Sequence, residues 1–371
     1  MSRCLEAAAR GRGRVSPNPM VGALLVKDGR LLAEAWHARY GGPHAEAAAL
    51  RRAGRSARGA TLYVSLEPCA HQGKTPPCTR AVIEAGVIRV VAAMRDPHPL
   101  VNGRGLRELR RAGIEVSTGL MRRDAALLNE AYLIAIIEGR PSVTLKAGMT
   151  LDGKIAPASG SARWITSPAS RRDGHRLRAA HDAVLVGIGT AIADSPRLDA
   201  RGAGAGIRQP LRAVLDSALR LDPASSLLKV RGGGGIVVYT ARPHPARARL
   251  LERRGATVVV AGAGEGGVSL PGALRDLVSR GVHSLLVEGG SAIAWSFLAA
   301  GLVDRIVLYM APMILGGRSA VPLVGDPGFG SLVRALRLTD LKAEGSGPDL
   351  RLTARIPRKV PIGAGLRRGG R

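Results

Sequence analysis

The chain has 371 residues, 46% hydrophobic and 22% charged, which fits two globular domains and excludes wholesale disorder. Three cysteines are too few for a disulfide framework and point to a reducing, cytoplasmic setting where thiols serve metal or catalysis. Formal charge is +27 from 55 Lys and Arg, only seven of them lysine. The excess is spread: +10 over residues 1–142 (22 basic against 12 acidic) and +17 over 143–371 (33 against 16). Aromatic residues, the stacking platforms that single-stranded nucleic acid needs, make up only 3%. The charge therefore reads as a compositional bias that also suits phosphorylated small substrates, with no nucleic-acid partner expected.

The first residues lack the apolar core of ~7–15 residues of a signal peptide. The longest apolar stretch, Ile306 to Leu315, is interrupted by Pro312 and falls short of the ~18 residues that suggest a membrane span. In chain order, VGALLV (21–26) and LLAEAW (31–36) flank Lys27-Asp28-Gly29-Arg30, a hairpin turn. A helix is predicted from His44 to Gly54, a strand over 61–66, a helix from Cys78 to Ala85 and a strand over 88–94. A helix around 106–112, a short strand at 114–116 and one helix over 122–138 follow. Gly139-Arg140-Pro141 breaks that helix, so the domains are read as 1–142 and 143–357. The second domain is read as strands 183–188, 212–217, 235–240, 256–262, 283–288 and 305–310 with helices 169–180, 271–280 and 291–300, after a β-rich start at SVTLKAGM. This alternation is the α/β pattern. The tail 358–371 is basic, glycine-rich and aperiodic, and is expected to be disordered.

Three separated pieces carry chemistry together: His44-Ala45-Glu46, Pro68-Cys69 and Cys78. One His and two Cys are three zinc ligands that leave a fourth tetrahedral position open for water, as a catalytic zinc requires. Glu46, two residues after His44, stands where it can move protons without binding the metal. Cys69 and Cys78 are each read as opening a helix, whose dipole favours the thiolate. H-x-E … P-C … C is the signature of zinc-dependent base deaminases. Here the two cysteines enclose the insert AHQGKTPP.

EPCAHQGKTPPC (67–78), PNPMVGALLV (17–26), GGPHAEAAAL (41–50) and DPHP (96–99) resemble the bifunctional riboflavin-biosynthesis deaminase–reductase family. The resemblance implies a cytidine-deaminase-like three-layer α/β/α domain acting on a diaminopyrimidinone that carries a ribosylamino 5-phosphate. Asn18, His71, Lys74 and Asp96 are then candidates for base or phosphate contact. His98 stands where the family carries Asn, and that contact is not carried over.

In the second domain VLVGIGTAIAD offers Gly187 and Gly189 but has Ile192 at the third glycine position, so the dinucleotide fingerprint fails. LLVEGGSAIAWSFL (285–298) reads better, as strand, glycine pair and helix, a phosphate cradle at a helix N-terminus. VTLKAGMTLDGKIA (143–156), WITS (164–167), DAVLVGIGTAIADSPRL (182–198), VLDS (214–217) and VEGG resemble the reductase half of the same family, in order. That implies a dihydrofolate-reductase-like α/β domain using NADPH to turn ribosyl into ribityl. By position the resemblance puts nucleotide contacts on Gly148, Trp164, Thr190, Asp194, Ser217 and the run Gly290, Ser291, Ala292, Ile293, Ala294, Trp295, Ser296. It puts substrate contacts on Ala162, Arg178, Leu198, Arg201 and Glu288, with Lys146 and Asp152 assisting polarisation or protonation. Ala162 replaces the family's serine, a departure that forfeits one hydrogen bond. One zinc per chain, NADPH, a small phosphorylated pyrimidine and a homo-oligomer are the expected cofactors and partners.

Overall fold

The computed structural model describes residues 1–73, 76–160, 164–202, 208–229 and 233–357. Lys74, Ala162 and the tail 358–371 lie outside the described residues. The chain divides after Gly139 into two compact units. Each is taken by itself.

The first unit opens with a helix that the sequence reading left out, α1 (Ser2–Ala9), whose buried side is Cys4, Ala7 and Ala8. These small residues at i, i+3 and i+4 let the helix lie directly on the first strand. The approach is so close that a Cβ on Gly22 would run into the Cys4 carbonyl. Strands β1 (Gly22–Lys27) and β2 (Arg30–Trp36) form the expected hairpin, with Asp28 and Gly29 both at positive φ. After α2 (Ala45–Ala53) come β3 (Thr61–Val64), α3 (Cys78–Glu84), β4 (Arg89–Ala92), α4 (Arg104–Arg111) and β5 (Glu115–Thr118). The sheet order is β2-β1-β3-β4-β5, antiparallel at its first two pairings and parallel at its last two. Leu25, Leu62, Val64, Val82, Val90 and Leu109 form its core. Each such side chain contributes about 1.5–3 kcal/mol on burial.

The single helix expected over 122–138 is two, α5 (Arg122–Leu128) and α6 (Glu130–Glu138). The break is at Asn129, whose side chain acts as a strand mimic: Oδ1 accepts from Met20 N (2.7 Å) and Nδ2 donates to Met20 O (2.9 Å). Asn129 thereby pins the Asn18–Met20 segment.

The second unit is built on a nine-stranded sheet. Its strands are β6 (Ser142–Thr150), β7 (Ala183–Gly187), β8 (Leu211–Leu215), β9 (Ile236–Thr240), β10 (Thr257–Val260), β11 (Ser284–Val287), β12 (Arg305–Ala311), β13 (Thr339–Ser346) and β14 (Asp349–Arg355). They lie in the order β10-β9-β8-β7-β11-β6-β12-β14-β13. From β10 to β12 all pairings are parallel, and β7 and β9 are buried at every residue, as two-sided burial requires. α7 (Pro168–Ala180), α10 (Leu270–Ser279) and α11 (Ser291–Ala299) match the sequence reading within a few residues. Ser167 and Ser269 cap the first two by accepting from Ser170 N and Gly272 N. Two helices and one long hairpin are absent from the sequence reading. α8 (Ile188–Asp194) follows β7 without a loop, α9 (Pro245–Glu252) buries only Leu251, and the hairpin β13–β14 is largely exposed. α8 and α9 lack a clear apolar period, whereas β14 carries one, Leu350, Leu352 and Ala354 alternating with polar residues, that the sequence reading passes over.

Candidate active sites

In the first unit α2 and α3 point their N-termini at one spot. His44 is the N-cap of α2 and Cys78 the first residue of α3. Cys69 does not open a helix; it lies in the loop after β3. A helix begun there would meet Gly73, Pro76 and Pro77 within two turns, so helix formation waits for Cys78. The dipole argument survives in altered form, because the Cys78 backbone N–H donates to the Cys69 sulfur at 3.4 Å. One helix end serves both cysteines. His44 Nδ1 stands 3.2 Å from Cys78 Sγ and 3.5 Å from Cys69 Sγ, and the three ligand atoms lie within 4.8 Å of one another. Nitrogen and sulfur on one tetrahedral zinc, with bonds of about 2.0–2.1 and 2.3 Å, stand about 3.5 Å apart, so this donor set fits the metal. Hydrogen bonds from Cys78 and His44 bring the Cys69 thiol down to about 4. Cys69→Ser and Cys78→Ser are each expected to lose most of the roughly one zinc per chain, read by metal analysis of purified protein; full metal in both would show that these cysteines do not hold it.

Glu46, in the first turn of α2, is 3% exposed. Burial, then the neighbouring Cys69 charge, pushes its carboxyl up to about 7. Behind the cysteine loop stands Glu67, which the sequence reading passed over. It accepts from Asp96 N (3.2 Å), Gly103 N (2.9 Å) and Leu106 N (3.3 Å), tying the β4–α4 connection to the residue before Pro68-Cys69. Gly105 completes that fit, since a Cβ there would collide with the Pro68 carbonyl.

Asn18 meets another unread residue, His37. The ring Nδ1 faces the Pro43 carbonyl at 3.0 Å, an acceptor only, so Nδ1 carries the proton. Nε2 then accepts from Asn18 Nδ2 at 3.1 Å, which leaves the Asn18 carbonyl free of His37. Burial lowers the His37 pKa and keeps the ring neutral, and it lies edge-on to His44 at 5.4 Å. His71 is half-buried, parallel to His98 at 6.4 Å, and its Nδ1 has no partner among the described residues. Asp96 is committed to the protein: Tyr132 Oη donates to it at 2.9 Å and His98 N at 2.9 Å. It holds the loop.

In the second unit a cleft of about 570 Å³ opens beyond the carboxyl ends of β7, β8 and β11. Thr190, Asp194, Ser217, Gly290, Ser291, Ala292, Ile293 and Ser296 line it. Gly290, the N-cap residue of α11, donates from its N to Thr190 Oγ1 at 3.1 Å. A Cβ on Gly187 or Gly289 would strike the Ile293 side chain, so both glycines are required by close packing beneath the cleft. The run 290–296 does not face the cleft as a whole, because it is helical. Ala294 turns into the core at 1% exposure, and Trp295 packs edge-on against Phe329 at 5.2 Å. Gly148 and Trp164 lie off the cleft wall. Gly148 abuts Thr166, and Trp164 is exposed beneath the Arg171 guanidinium at 4.4 Å. The cleft's size, its glycine-lined floor and the N-terminus of α11, which no side chain caps, suit a dinucleotide.

Beside it Arg178 and Glu288 form a two-pronged ion pair, Nε–Oε1 2.7 Å and Nη2–Oε2 2.8 Å, with Lys146 Nζ 3.6 Å from Glu288 and 5.7 Å from the Tyr309 ring centre. Arg201 pairs with Asp199 at 2.6 Å. The Leu198 side chain is 2% exposed and buried in the core, so only its backbone can face a ligand. Asp152 departs from the expectation that it assists protonation. Its carboxylate accepts from Thr150 Oγ1 (2.6 Å), Leu315 N (3.1 Å) and Gly316 N (2.8 Å), which hold its pKa down at about 2. It fastens a turn and has no proton to give at neutral pH.

Known proteins share this arrangement. The cytidine and deoxycytidylate deaminase zinc-binding region matches residues 1–94, and the RibD C-terminal domain matches 141–352. The riboflavin biosynthesis protein RibD of Bacillus amyloliquefaciens is 40% identical over 96% of this chain and 95% of its own. That of Escherichia coli is 41% identical over 94% and 96%. The solved structure of Acinetobacter baumannii RibD superposes with a TM-score of 0.88 at 37% identity, covering 96% of this chain and 98% of that one. A Thermotoga maritima structure described as a diaminohydroxyphosphoribosylaminopyrimidine deaminase and 5-amino-6-(5-phosphoribosylamino)uracil reductase gives 0.81 at 34%, covering 96% and 97%. With both halves matched in order, the chain belongs to the RibD family, the bifunctional enzymes of riboflavin biosynthesis that join a zinc-binding deaminase to an NADPH-dependent reductase.

Proposed function

We propose that the first unit deaminates 2,5-diamino-6-(ribosylamino)pyrimidinone 5′-phosphate and the second reduces the ribosyl group of the resulting uracil to ribityl, with the residues assigned as follows. His44, Cys69 and Cys78 hold the zinc. Zinc, when bound, would supply a Lewis acid that acidifies a water and stabilises the negative charge on its oxygen. Glu46 takes a proton from the water and places it on the ring nitrogen; it then takes the proton of the added hydroxyl and passes it to the amino group, which leaves as ammonia while the hydroxyl oxygen becomes the carbonyl. Its carboxyl sits where burial keeps protonated and ionised forms close in energy, which suits a group that must do both. The Asn18 carbonyl, its amide fixed by His37, accepts from a substrate amino group. His71 and Lys74 are assigned to the ribose phosphate, and Asp96 fixes the start of the β4–α4 connection through His98 N and Tyr132.

In the second unit the cleft takes the nucleotide, with Gly148 and Trp164 flanking it. NADPH, when bound, supplies the hydride. Arg178, Arg201 and the Leu198 backbone bind the substrate's phosphate side. Glu288 orients Arg178 and Lys146, and the Lys146 ammonium polarises the sugar nitrogen or oxygen as its ring opens. The single observation that carries the reading is the convergence of His44, Cys69 and Cys78 beside a buried Glu46.

The protein is further read as cytoplasmic, supported by three free cysteines. No helix among the described residues is long and apolar enough to cross a membrane. It is read as a homo-oligomer, supported by Leu341 and Leu350 exposed on the outer hairpin of the second sheet; sedimentation tests this. The activity test follows ammonia release and NADPH oxidation in parallel on the pyrimidine phosphate. Ammonia should appear without NADPH, and NADPH oxidation should require prior deamination. NADPH consumption that precedes ammonia release would reverse the order of steps.

A further inference from the structure

We infer that Tyr309 is a positioning residue for the reduction, its ring face holding the Lys146 ammonium in the place from which it acts on the sugar. The inference rests on the reading of Lys146 as the group that polarises the sugar nitrogen or oxygen. Lys146 is on β6, and its register partner on β12 is Val307. Tyr309 is two residues further along β12, and residues two apart on a strand share a face, so the ring comes down beside the lysine. Lys146 Nζ stands 5.7 Å from the Tyr309 ring centre, within reach of a cation–π contact. On its other side Glu288 Oε2 is 3.6 Å away, an ion pair without a hydrogen bond. Beneath it runs α7, where a Cβ on Gly174 would lie 3.7 Å from Nζ. Among the described residues, none of these neighbours takes a hydrogen bond from the ammonium. An aromatic face suits such a place. It holds a cation by attraction to the ring and leaves the three N–H donors for a substrate, which a second carboxylate would occupy.

The ring is itself held. Tyr309 is 1% exposed, and its Oη donates to Asp173 Oδ2 at 2.5 Å. Burial, then the bond to Asp173, pushes the phenol pKa up, so the hydroxyl stays a donor. Arg351, the register partner of Tyr309 on β14, stands with Nε 3.2 Å from the same carboxylate oxygen. Its Nη1 donates to Glu344 on β13 at 3.2 Å. The outer hairpin therefore braces Asp173, Asp173 fixes the ring, and the ring faces Lys146.

The test is steady-state NADPH oxidation by the full chain on pre-deaminated substrate, with NADPH affinity measured by titration on the same preparations. Tyr309→Leu fills the space without a π face and should lower kcat, not raise KM, by about 5- to 30-fold, the weight of one desolvated cation–π contact. Tyr309→Phe keeps the face and should lose no more than about threefold. Both variants lose the bond to Asp173, so a purely structural tyrosine would make them fall together; equal kcat in the two overturns the inference. NADPH affinity should change by less than about twofold in both, because neither Tyr309 nor Lys146 lines the cleft, and its retention shows that the variants are folded. Where the leucine variant does not fold, Tyr309→Met gives the same comparison with a side chain that adapts to the space. Lys146→Met separates failure of the underlying reading. Parent-like kcat in that variant would remove the lysine from reduction altogether, whereas loss of kcat there with none in Tyr309→Leu would overturn the inference alone. On the Lys146→Met background Tyr309→Leu should cost nothing further, since the cation is gone; a full additional loss would show that the ring acts on something else.

Discussion

Glu46→Gln is expected to keep its zinc, keep NADPH oxidation on pre-deaminated substrate, and lose ammonia release by at least about 10²-fold. The amide is nearly isosteric with the acid, so the 3%-exposed pocket at the first turn of α2 is still filled. What it cannot do is take up and return a proton. Metal retention follows because the zinc donors are His44, Cys69 and Cys78, and Glu46 is absent from that set. Three measurements on one preparation decide the matter: metal content, ammonia release and NADPH consumption. Loss of zinc together with deamination would make Glu46 part of the metal site. Near-normal deamination would remove it from proton transfer.

The zinc site was legible because its chemistry is carried by residue types that few other roles demand together, in an order set by strand–helix junctions. What surrounds it was not. Glu67, His37 and Asn129 act through backbone partners distant in sequence, such as Gly103, Pro43 and Met20. Nothing local distinguishes a buried acid that accepts three N–H groups from a surface acid. The same limit explains Cys69: spacing placed it beside Cys78 but could not say that the prolines between them give both sulfurs to one helix end. In the second unit the strands were readable because parallel strands buried on both faces are continuous apolar runs. The outer hairpin β13–β14, mostly exposed, has no such run. Positions carried over from the family came as a contiguous stretch, 290–296, whereas a helix shows a ligand only one side. That is why Ser296 faces the cleft and Ala294 and Trp295 do not.

Glu288→Gln is expected to destabilise the second unit in a pH-dependent way. The Glu288 side chain is 10% exposed, and the Arg178 guanidinium and Lys146 ammonium beside it hold its carboxyl at about 2 against the cost of burial. Its ordinary value is 4.5. A carboxyl depressed in the folded state adds stability above the unfolded value and loses it as pH falls through the folded one. The contribution is therefore full above about pH 5 and fades toward pH 2, and a shift of this size corresponds to about 3 kcal/mol. Glutamine keeps the shape but leaves Arg178, 16% exposed, with a neutral partner, and stranding one buried charge costs about 3–5 kcal/mol. Urea unfolding of parent and variant should thus differ by about 3 kcal/mol at pH 7, and the gap should narrow as pH approaches 3. A gap that stays constant with pH would mean that the loss comes from packing and not from the ion pair. Reduction should fall as well, because the same carboxylate sets the positions of Arg178 and Lys146. If NADPH binding persists while NADPH oxidation is lost, Glu288 belongs to the substrate side of the site and not to the nucleotide cleft, in agreement with its absence from the cleft wall.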